Sequence, residues 1–419
     1  MTTPDAPAPA GLFFGWKVVA SVFVMAVFAW GVGFYGPTVY LHEIHATRGW
    51  SVSLISAAIT AHFLWSALLV AFLGEAYHRF GIAPVTYVGI AATALGVIGW
   101  AVAAQPWQLF AAAGLTGIGW AATSGAAINA MVSPWFDRRR VAALSHAYNG
   151  ASIGGVAFTP LWVALIAWLG FPGAAMIVAA AVLAVLVPLT ARYISRRPED
   201  LGLAPDGGPP PKAADTRAAA VKQTPRLDIL KDPRFFTLSL GFSLGIFAQM
   251  GLIAHLVTRL APVIGDLQAA LLVSIATVCA VIGRLGLAAA PDSLDRRRAA
   301  SANFAMQSLG VLLLTFGDSL WPLVAGCVLF GLGIGNLLSL PPLILQVEHN
   351  RTDVVRAVAL FTAVNQIVYA FAPGIFGVMR DMAGSYTGPF LLAGAAQLAA
   401  AVIVASSGRS RPHASSNHP

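Results

Sequence analysis

Apolar residues in this 419-residue chain come in long blocks separated by short clusters rich in Arg, Asp, Gly and Pro. They show neither the strict alternation of a strand nor the one-sided stripe of a soluble helix. A helix needs about 20 mainly apolar residues to cross a roughly 30 Å hydrocarbon layer. Twelve blocks approach or exceed that length: 16–40, 52–74, 82–104, 108–133, 141–169, 173–193, 235–260, 267–290, 299–316, 321–346, 354–379 and 387–407. The pattern predicts an all-α membrane protein with twelve transmembrane helices. The one long polar interruption carries the run Ala204-Pro-Asp-Gly-Gly-Pro-Pro-Pro211 and reads as a linker. The chain is therefore expected to divide into a disordered tail (1–15), a six-helix bundle (16–194), the linker (195–233), a second six-helix bundle (234–407) and a C-terminal tail (408–419).

Charged residues make up 10% of the chain, against about 25% in a soluble domain. An even number of spans puts both termini on one side, and the basic residues say which, because Lys and Arg are retained in the cytoplasm. With the N-terminus inside, all but four of the 25 Lys and Arg fall in cytoplasmic segments. Arg48, Arg259 and Arg380 lie at outer ends, and Arg284 lies within a span. The expected topology is N-in and C-in, in the cell (inner) membrane. The net charge of +8 then reflects topology anchors such as Arg138 to Arg140, Arg196, Arg197 and Arg296 to Arg298 facing anionic lipid, and implies no nucleic acid. The first apolar run is too long for a signal-peptide core and is expected to remain. Cys279 and Cys327 each sit in an apolar block and read as small buried hydrophobes, with no disulfide, metal or other cofactor expected.

The two bundles echo one another. Gly74-Glu-Ala-Tyr-His78-Arg79-Phe-Gly81 follows the second span, and Ala288-Ala-Ala-Pro-Asp292 with Arg296 to Arg298 follows the eighth. Two six-span repeats joined by a long inner loop are the plan of a transporter that rocks around a site between them. On these residues the chain resembles the major facilitator superfamily over nearly its whole length. Gly74 to Gly81 is similar to that superfamily's loop signature G-x-L-A-D-R-x-G, with His78 where the Asp belongs and Ile82, Ala83 and Pro84 in place of the usual basic pair. The resemblance implies a conformational latch at these loops, built on His78, Arg79 and Asp292, and weak or pH-sensitive in the first half. Three further stretches are similar to the monocarboxylate transporters and their oxalate/formate antiporter relatives. They are Trp135-Phe-Asp-Arg-Arg-Arg140 leading into Ser145 to Gly155, Arg197-Pro-Glu-Asp-Leu-Gly-Leu203, and Pro373-Gly374 with Arg380-Asp381 through Phe390. Pro373 and Gly374 are expected to bend the eleventh helix.

Candidate chemistry centres on Arg284. A guanidinium inside an apolar span costs about 2.5–3.5 kcal/mol on insertion scales, so it needs a partner or a task. In the family the chain resembles, a Gly-Arg pair in the eighth helix holds the substrate carboxylate, and Gly283-Arg284 matches it in position. A guanidinium fork donates two parallel hydrogen bonds and does not deprotonate; the competing reading is an arginine that snorkels or braces helix ends. The oxalate-specific relatives carry a second cation in the eleventh helix, which here has no Lys or Arg, so the resemblance implies a monoanion. The animal carriers place an Asp one turn before the Arg, where this chain has Ala280. Glu43, Glu75, Asp266, Asp318 and Asp381 all lie at span ends. Proton coupling would then fall to histidine, whose ordinary pKa is near 6.5; His62, His146 and His255 are the candidates. Asn129, Asn149, Gln249, Asn336 and Asn365 are candidate substrate contacts, and Tyr35, Trp120 and Tyr369 candidate walls for the acid's apolar body. Each is equally suited to interhelical bonding or packing.

The reading is a secondary active transporter, not an enzyme. It would move a small organic monocarboxylate anion by alternating access, with a proton (symport) or by anion exchange (antiport). Expected partners are the anion, a proton and membrane lipid, with the chain acting as a monomer. One alternative is an exporter of hydrophobic compounds or drugs, which would favour an acidic residue in the first-half cavity. Another is a transporter-like membrane sensor, which would favour an appended soluble domain. An intramembrane enzyme is disfavoured by the lack of an H-E-x-x-H run, paired mid-span carboxylates or a phosphate-cradling Gly-Lys-Ser/Thr loop.

Overall fold

The computed structural model describes residues 13–207, 225–289, 291, 294–349 and 353–406, and every regular element among them is helical. Before the linker run α1 (Phe14–Phe28), α2 (Gly36–Arg48), α3 (Val52–Phe80), α4 (Ile82–Val102), α5 (Pro106–Thr123), α6 (Gly125–Val132) and α7 (Arg140–Leu189). The short α8 (Arg226–Lys231) leads into α9 (Pro233–Ile264), α10 (Asp266–Ala288), α11 (Arg296–Phe316) and α12 (Leu320–Ile334). The chain continues through α13 (Asn336–Glu348), α14 (Val354–Ala370), α15 (Ala372–Ala383) and α16 (Thr387–Ser406). Ten helical stretches among the described residues are long and apolar enough to cross a membrane.

Local chemistry sets the boundaries. Ser51 caps α3 by accepting the Leu54 N–H at 3.3 Å, and Asp232 caps α9 by accepting the Arg234 N–H at 2.9 Å, with Pro233 at the first helical position. The expected spans 141–169 and 173–193 form one 55-residue stretch, Arg140–Ile194, broken at Gly170, where φ is 68° and ψ 168°.

Four other expected spans are interrupted along their length. Between α1 and α2 the segment Ala29–Phe34 widens into a π-helical turn, and the Tyr35 N–H donates five residues back to the Trp30 carbonyl at 2.8 Å. A π turn leaves carbonyls out of register. Two find side-chain donors: Trp162 Nε1–H reaches the Gly31 carbonyl at 3.2 Å, and Tyr40 O–H the Val32 carbonyl at 3.1 Å. α5 and α6 part at the extended Ser124, where the Gly125 carbonyl accepts Tyr148 O–H at 2.7 Å and Asn129 Nδ2–H at 3.0 Å. α12 meets α13 at Gly335, and α14 meets α15 at Phe371. The bend expected at Pro373 and Gly374 thus falls just ahead of them, because the proline ring excludes the regular helix over the preceding turn.

Helices α1–α7 pack as one group, with α1 on α7 and α4 on α5; α9–α16 pack as another, with α11 on α16 and α10 on α12. The groups meet where α3 touches α14 and α15, α7 touches α10, and α2 touches α9. Hydrogen bonds between them run from mid-depth to the end where α3 and α10 begin. There, Asp381 accepts the Ser53 N–H at 2.7 Å, Thr60 accepts the Gly374 N–H at 2.9 Å, and Asp266 pairs with His42 at 3.0 Å. Deeper in, the Ser274 hydroxyl donates to the Val156 carbonyl at 2.8 Å. Among the described residues no such bond joins the groups at the opposite end. The molecule is sealed at one end.

Arg297 departs from its reading as a lipid-facing anchor. It is 3% exposed and forms a two-pronged pair with Glu348, Nε to Oε1 at 2.5 Å and Nη2 to Oε2 at 2.8 Å, while Nη2 also donates to the Arg234 carbonyl at 2.9 Å. The pair ties the starts of α9 and α11 to the end of α13.

Candidate functional site

Glycine lets α10 lie against α12. A Cβ on Gly283 would sit 1.9 Å from the Leu332 carbonyl oxygen, so the two backbones touch there. The next residue, Arg284, is half-buried, and its own Cβ is 3.3 Å from where a Cβ on Gly335 would fall, at the join of α12 and α13. Its Nε is buried with no hydrogen-bond partner. None of the ion pairs among the described residues includes Arg284.

Tyr35, buried at the end of the π turn, lies within electrostatic reach of that guanidinium. A second close approach holds it. A Cβ on Gly155 of α7 would fall 2.5 Å from the Tyr35 ring and 2.7 Å from Thr277 Cγ2 of α10. Elements from both groups therefore converge beside Arg284.

Aromatic rings extend from Tyr35 across the N-terminal group. Phe34 lies 4.9 Å from Tyr35 and 6.0 Å from Trp120; Trp30 lies 4.9 Å and Phe63 6.2 Å from Trp120; and Phe63 reaches Tyr369 of α14 at 6.1 Å. The three aromatic candidates, Tyr35, Trp120 and Tyr369, thus belong to one cluster through Phe34 and Phe63, residues that sequence reasoning passed over. Thr277 and Gly155 were also missed as neighbours of the site, because a Thr or Gly in an apolar span carries no signal of what it faces.

The three candidate histidines occupy different settings. His146 is exposed on α7, its ring 5.8 Å from Trp16. His255 is buried in the seal: Nε2 lies 3.0 Å from the Pro373 carbonyl and 3.4 Å from the Ser56 hydroxyl, and Nδ1 lies 3.3 Å from the Tyr386 hydroxyl. Both its nitrogens are engaged, with the carbonyl requiring Nε2–H as donor. His62 differs. Its Nδ1 is 2.9 Å from Thr116 Oγ1, whose own proton goes to the Ala112 or Ala113 carbonyl at 3.2 or 3.1 Å, so Nδ1–H is the donor. Nε2 is then a buried acceptor without a partner, with the Gly33 backbone of the π turn nearby.

Among the amide candidates, Asn129 is exposed on α6 and donates to Tyr148 Oη at 2.7 Å, while Asn149 is exposed on α7. Gln249 is buried on α9 with its side-chain oxygen unpartnered. Asn336 Nδ2 donates to Asn303 Oδ1 at 3.0 Å, and Asn365 Nδ2 turns back to the Phe361 carbonyl at 2.7 Å. At the proposed latch, His78 and Arg79 are exposed at the end of α3, and Asp292 lies outside the described residues.

A family model described as Major Facilitator Superfamily matches residues 21–285, more than half of the chain. The chain is 27% identical over 414 residues to the MFS transporter asaE of Aspergillus flavus, covering 96% of this chain and 89% of that protein. It is similar to monocarboxylate transporter 11 of Homo sapiens, 27% identical with 96% of this chain and 84% of the relative covered. It is likewise similar to monocarboxylate transporter 13 of Bos taurus, 28% identical with 92% and 87% covered. In fold it is similar to the nucleoside transporter NupG, TM-score 0.73 at 12% identity over 96% of this chain and all of that one. It is also similar to a bacterial homolog of the human lysosomal transporter Spinster in an inward-facing and occupied conformation, TM-score 0.67 at 14% identity, with 95% and 96% covered. This all-helical, membrane-spanning chain belongs to the Major Facilitator Superfamily of transporters and resembles its monocarboxylate transporters.

Proposed function

We propose that this protein is a secondary active transporter that moves an organic monocarboxylate by alternating access. In this reading it has twelve spans in two halves, with both termini in the cytoplasm. The 55-residue stretch Arg140–Ile194 counts as two spans that part at Gly170, and α5 with α6 counts as one. The end where α3 and α10 begin, which carries the hydrogen bonds between the halves, is then the outer one.

The observation that carries the reading is Arg284, a membrane-embedded guanidinium with an unpartnered Nε and no ion pair among the described residues. A bound carboxylate would satisfy the fork and neutralise the charge, which lowers the penalty for enclosing it when the halves rock. Tyr35 lies within electrostatic reach of it, and the rings of Trp120, Phe34 and Phe63 offer the acid's apolar body a wall. The likeness to monocarboxylate transporters supports the same substrate class. Symport with a proton is the favoured coupling, because His62 keeps a buried, unoccupied proton acceptor next to the same cluster, its ring 6.4 Å from Trp120.

The test is thermal stabilisation of the purified protein across a panel of mono- and dicarboxylates. A ligand at 100 times its Kd adds about 2.7 kcal/mol of stability to the folded state. Monocarboxylates are expected to stabilise the wild type, and Arg284→Lys, which offers a point charge in place of a fork, is expected to remove the effect. A panel without response, or a response that Arg284→Lys leaves intact, would overturn the assignment.

A further inference from the structure

At the end of α3, opposite the seal, a cavity of about 310 Å³ opens between α3, α4, α6 and the segment that follows α7. Its lining comes from the N-terminal bundle and the first residues of the linker. Its polar lining is His78, Arg196, Arg197, Glu199 and Tyr77. Arg196 and Arg197 take part in none of the ion pairs among the described residues, Glu199 included. Tyr77 is 8% exposed and its hydroxyl has no hydrogen-bond partner. Two guanidiniums, a buried phenol without a partner and an imidazole share the lining with a single carboxylate, Glu199, so donors outnumber acceptors there.

The segment that carries the arginines is built rather than loose. Asp200 Oδ2 accepts the Arg197 N–H at 2.9 Å, the Leu203 N–H donates to the Pro198 carbonyl at 2.9 Å, and Gly202 closes the turn in the left-handed region at φ 63°. The Arg-Pro-Glu-Asp-Leu-Gly-Leu stretch therefore presents Arg197 from a defined turn. Ile82, which heads α4, forms part of the wall, so the start of that helix, with its partial positive charge, adjoins the cavity. His78 stands where the loop signature calls for an aspartate. The exchange removes a carboxylate from the lining and puts an imidazole N–H in its place, which favours an anion. Met131, Trp135 and Ile194 make the remaining wall apolar.

We propose that this cavity is a second anion site, separate from Arg284, which takes the phosphate group of a compound with net negative charge. Phosphate fits better than carboxylate because two guanidinium forks, a phenol and an imidazole exceed what two carboxylate oxygens accept, whereas a phosphate offers more oxygens around one centre. The phosphate has two sources, a phospholipid headgroup at the membrane surface or a soluble phosphorylated compound. Bound there, it would fasten the exit of α7 to the ends of α3 and α6.

The experiment uses the full-length protein in a neutral detergent and follows its thermal unfolding with three probes: short-chain phosphatidylglycerol, glycerol phosphate, and short-chain phosphatidylcholine as the zwitterionic control. A saturable rise in Tm with phosphatidylglycerol, needing at least about tenfold more ligand in Arg196→Gln/Arg197→Gln, is the expected result and assigns the site to lipid. The same mutation-sensitive rise with glycerol phosphate also supports the site and assigns it to a soluble compound. No rise with either probe, an unchanged response in the double variant, or an equal response to phosphatidylcholine overturns the proposal. If the double variant does not fold, Tyr77→Phe, which deletes only the unpartnered hydroxyl, makes the same comparison.

Discussion

The Asp381 carboxylate, near the end of α15, accepts the Ser53 N–H in the first turn of α3 at 2.7 Å. An acid from one half of the chain thus satisfies a free amide at the start of a helix from the other, where the partial positive charge favours it. The approach is close: a Cβ on Gly377, one turn earlier on α15, would fall 2.6 Å from Ser56 Oγ. Arg380 flanks the carboxylate at 3.0 Å, and His255, Ser56 and the Pro373 carbonyl lie deeper in the same seam.

Asp381→Asn removes the charge from this contact and leaves its shape. A charge-assisted hydrogen bond contributes about 1.5–3 kcal/mol, and losing part of it, roughly 1–2 kcal/mol, moves a two-state ratio about 5- to 30-fold. Spin labels at positions 47 and 267, on the two sides of the seam, are expected to show a longer-distance population in the variant. Superimposable distance distributions would mean that this contact does not hold the end shut.

Gly283→Ala would drive a methyl group into the Leu332 carbonyl of α12. Overpacking costs about 1–3 kcal/mol, and the shift would displace Arg284 with it. Lower thermal stability together with weaker carboxylate binding is expected; a variant that matches the wild type in both would show that α10 and α12 separate freely.

The Arg297–Glu348 pair is buried on both sides, with side-chain exposures of 4% and 8%. Removing one partner strands the other's charge, at about 3–5 kcal/mol, whereas replacing both with apolar groups avoids that penalty. Arg297→Met and Glu348→Leu are each expected to lower Tm more than the double variant does. A double variant as unstable as the sum of the singles would indicate that the pair acts through something other than stranded charge.

His62→Gln keeps an N–H for Thr116 and removes the titratable nitrogen. If His62 carries the coupled proton, wild-type uptake rises as external pH falls, and the variant is expected to lose that dependence while retaining exchange of labelled for unlabelled acid. A wild-type pH profile in the variant would remove His62 from coupling.

Asp206 gives a pH prediction outside the spans. Desolvation raises its pKa, but the backbone N–H groups of Arg138, Asp137 and Arg139, with the Arg139 charge, outweigh this and hold the carboxyl below its ordinary value. A depressed folded-state pKa makes the contribution fully present above the unfolded value and lost as pH falls through the folded one. Amide exchange at Asp137 and Arg138, whose N–H groups bond Asp206 Oδ2 at 3.0 and 2.7 Å, is therefore expected to be protected at neutral pH and to lose protection below the usual carboxylate range. Asp206→Asn should show reduced protection at every pH; equal protection in the variant would assign the ordering of this loop to other contacts.

Hydropathy made the membrane class and most helix limits legible, because twenty apolar residues in a row are a local property. Gly170 could be read as a boundary for the same reason. The breaks at Ser124 and Gly335 were not, since a helix can stop inside an apolar run only when other side chains take its loose carbonyls, as Tyr148 does at Gly125. Arg297 read as a surface anchor because its partner, Glu348, lies on another helix.

By itself the sequence determined that the chain crosses the membrane repeatedly and places one arginine, Arg284, inside a span without a nearby carboxylate in its own helix. The tertiary structure decided which end carries the hydrogen bonds between the halves, which of three histidines keeps a buried nitrogen without a partner, and that Tyr35 comes within electrostatic reach of that arginine. The division has a physical cause. Insertion depends on the summed transfer energy of contiguous residues, whereas helix pairing within lipid lacks a hydrophobic drive and depends on close packing and hydrogen bonds between residues far apart in the chain.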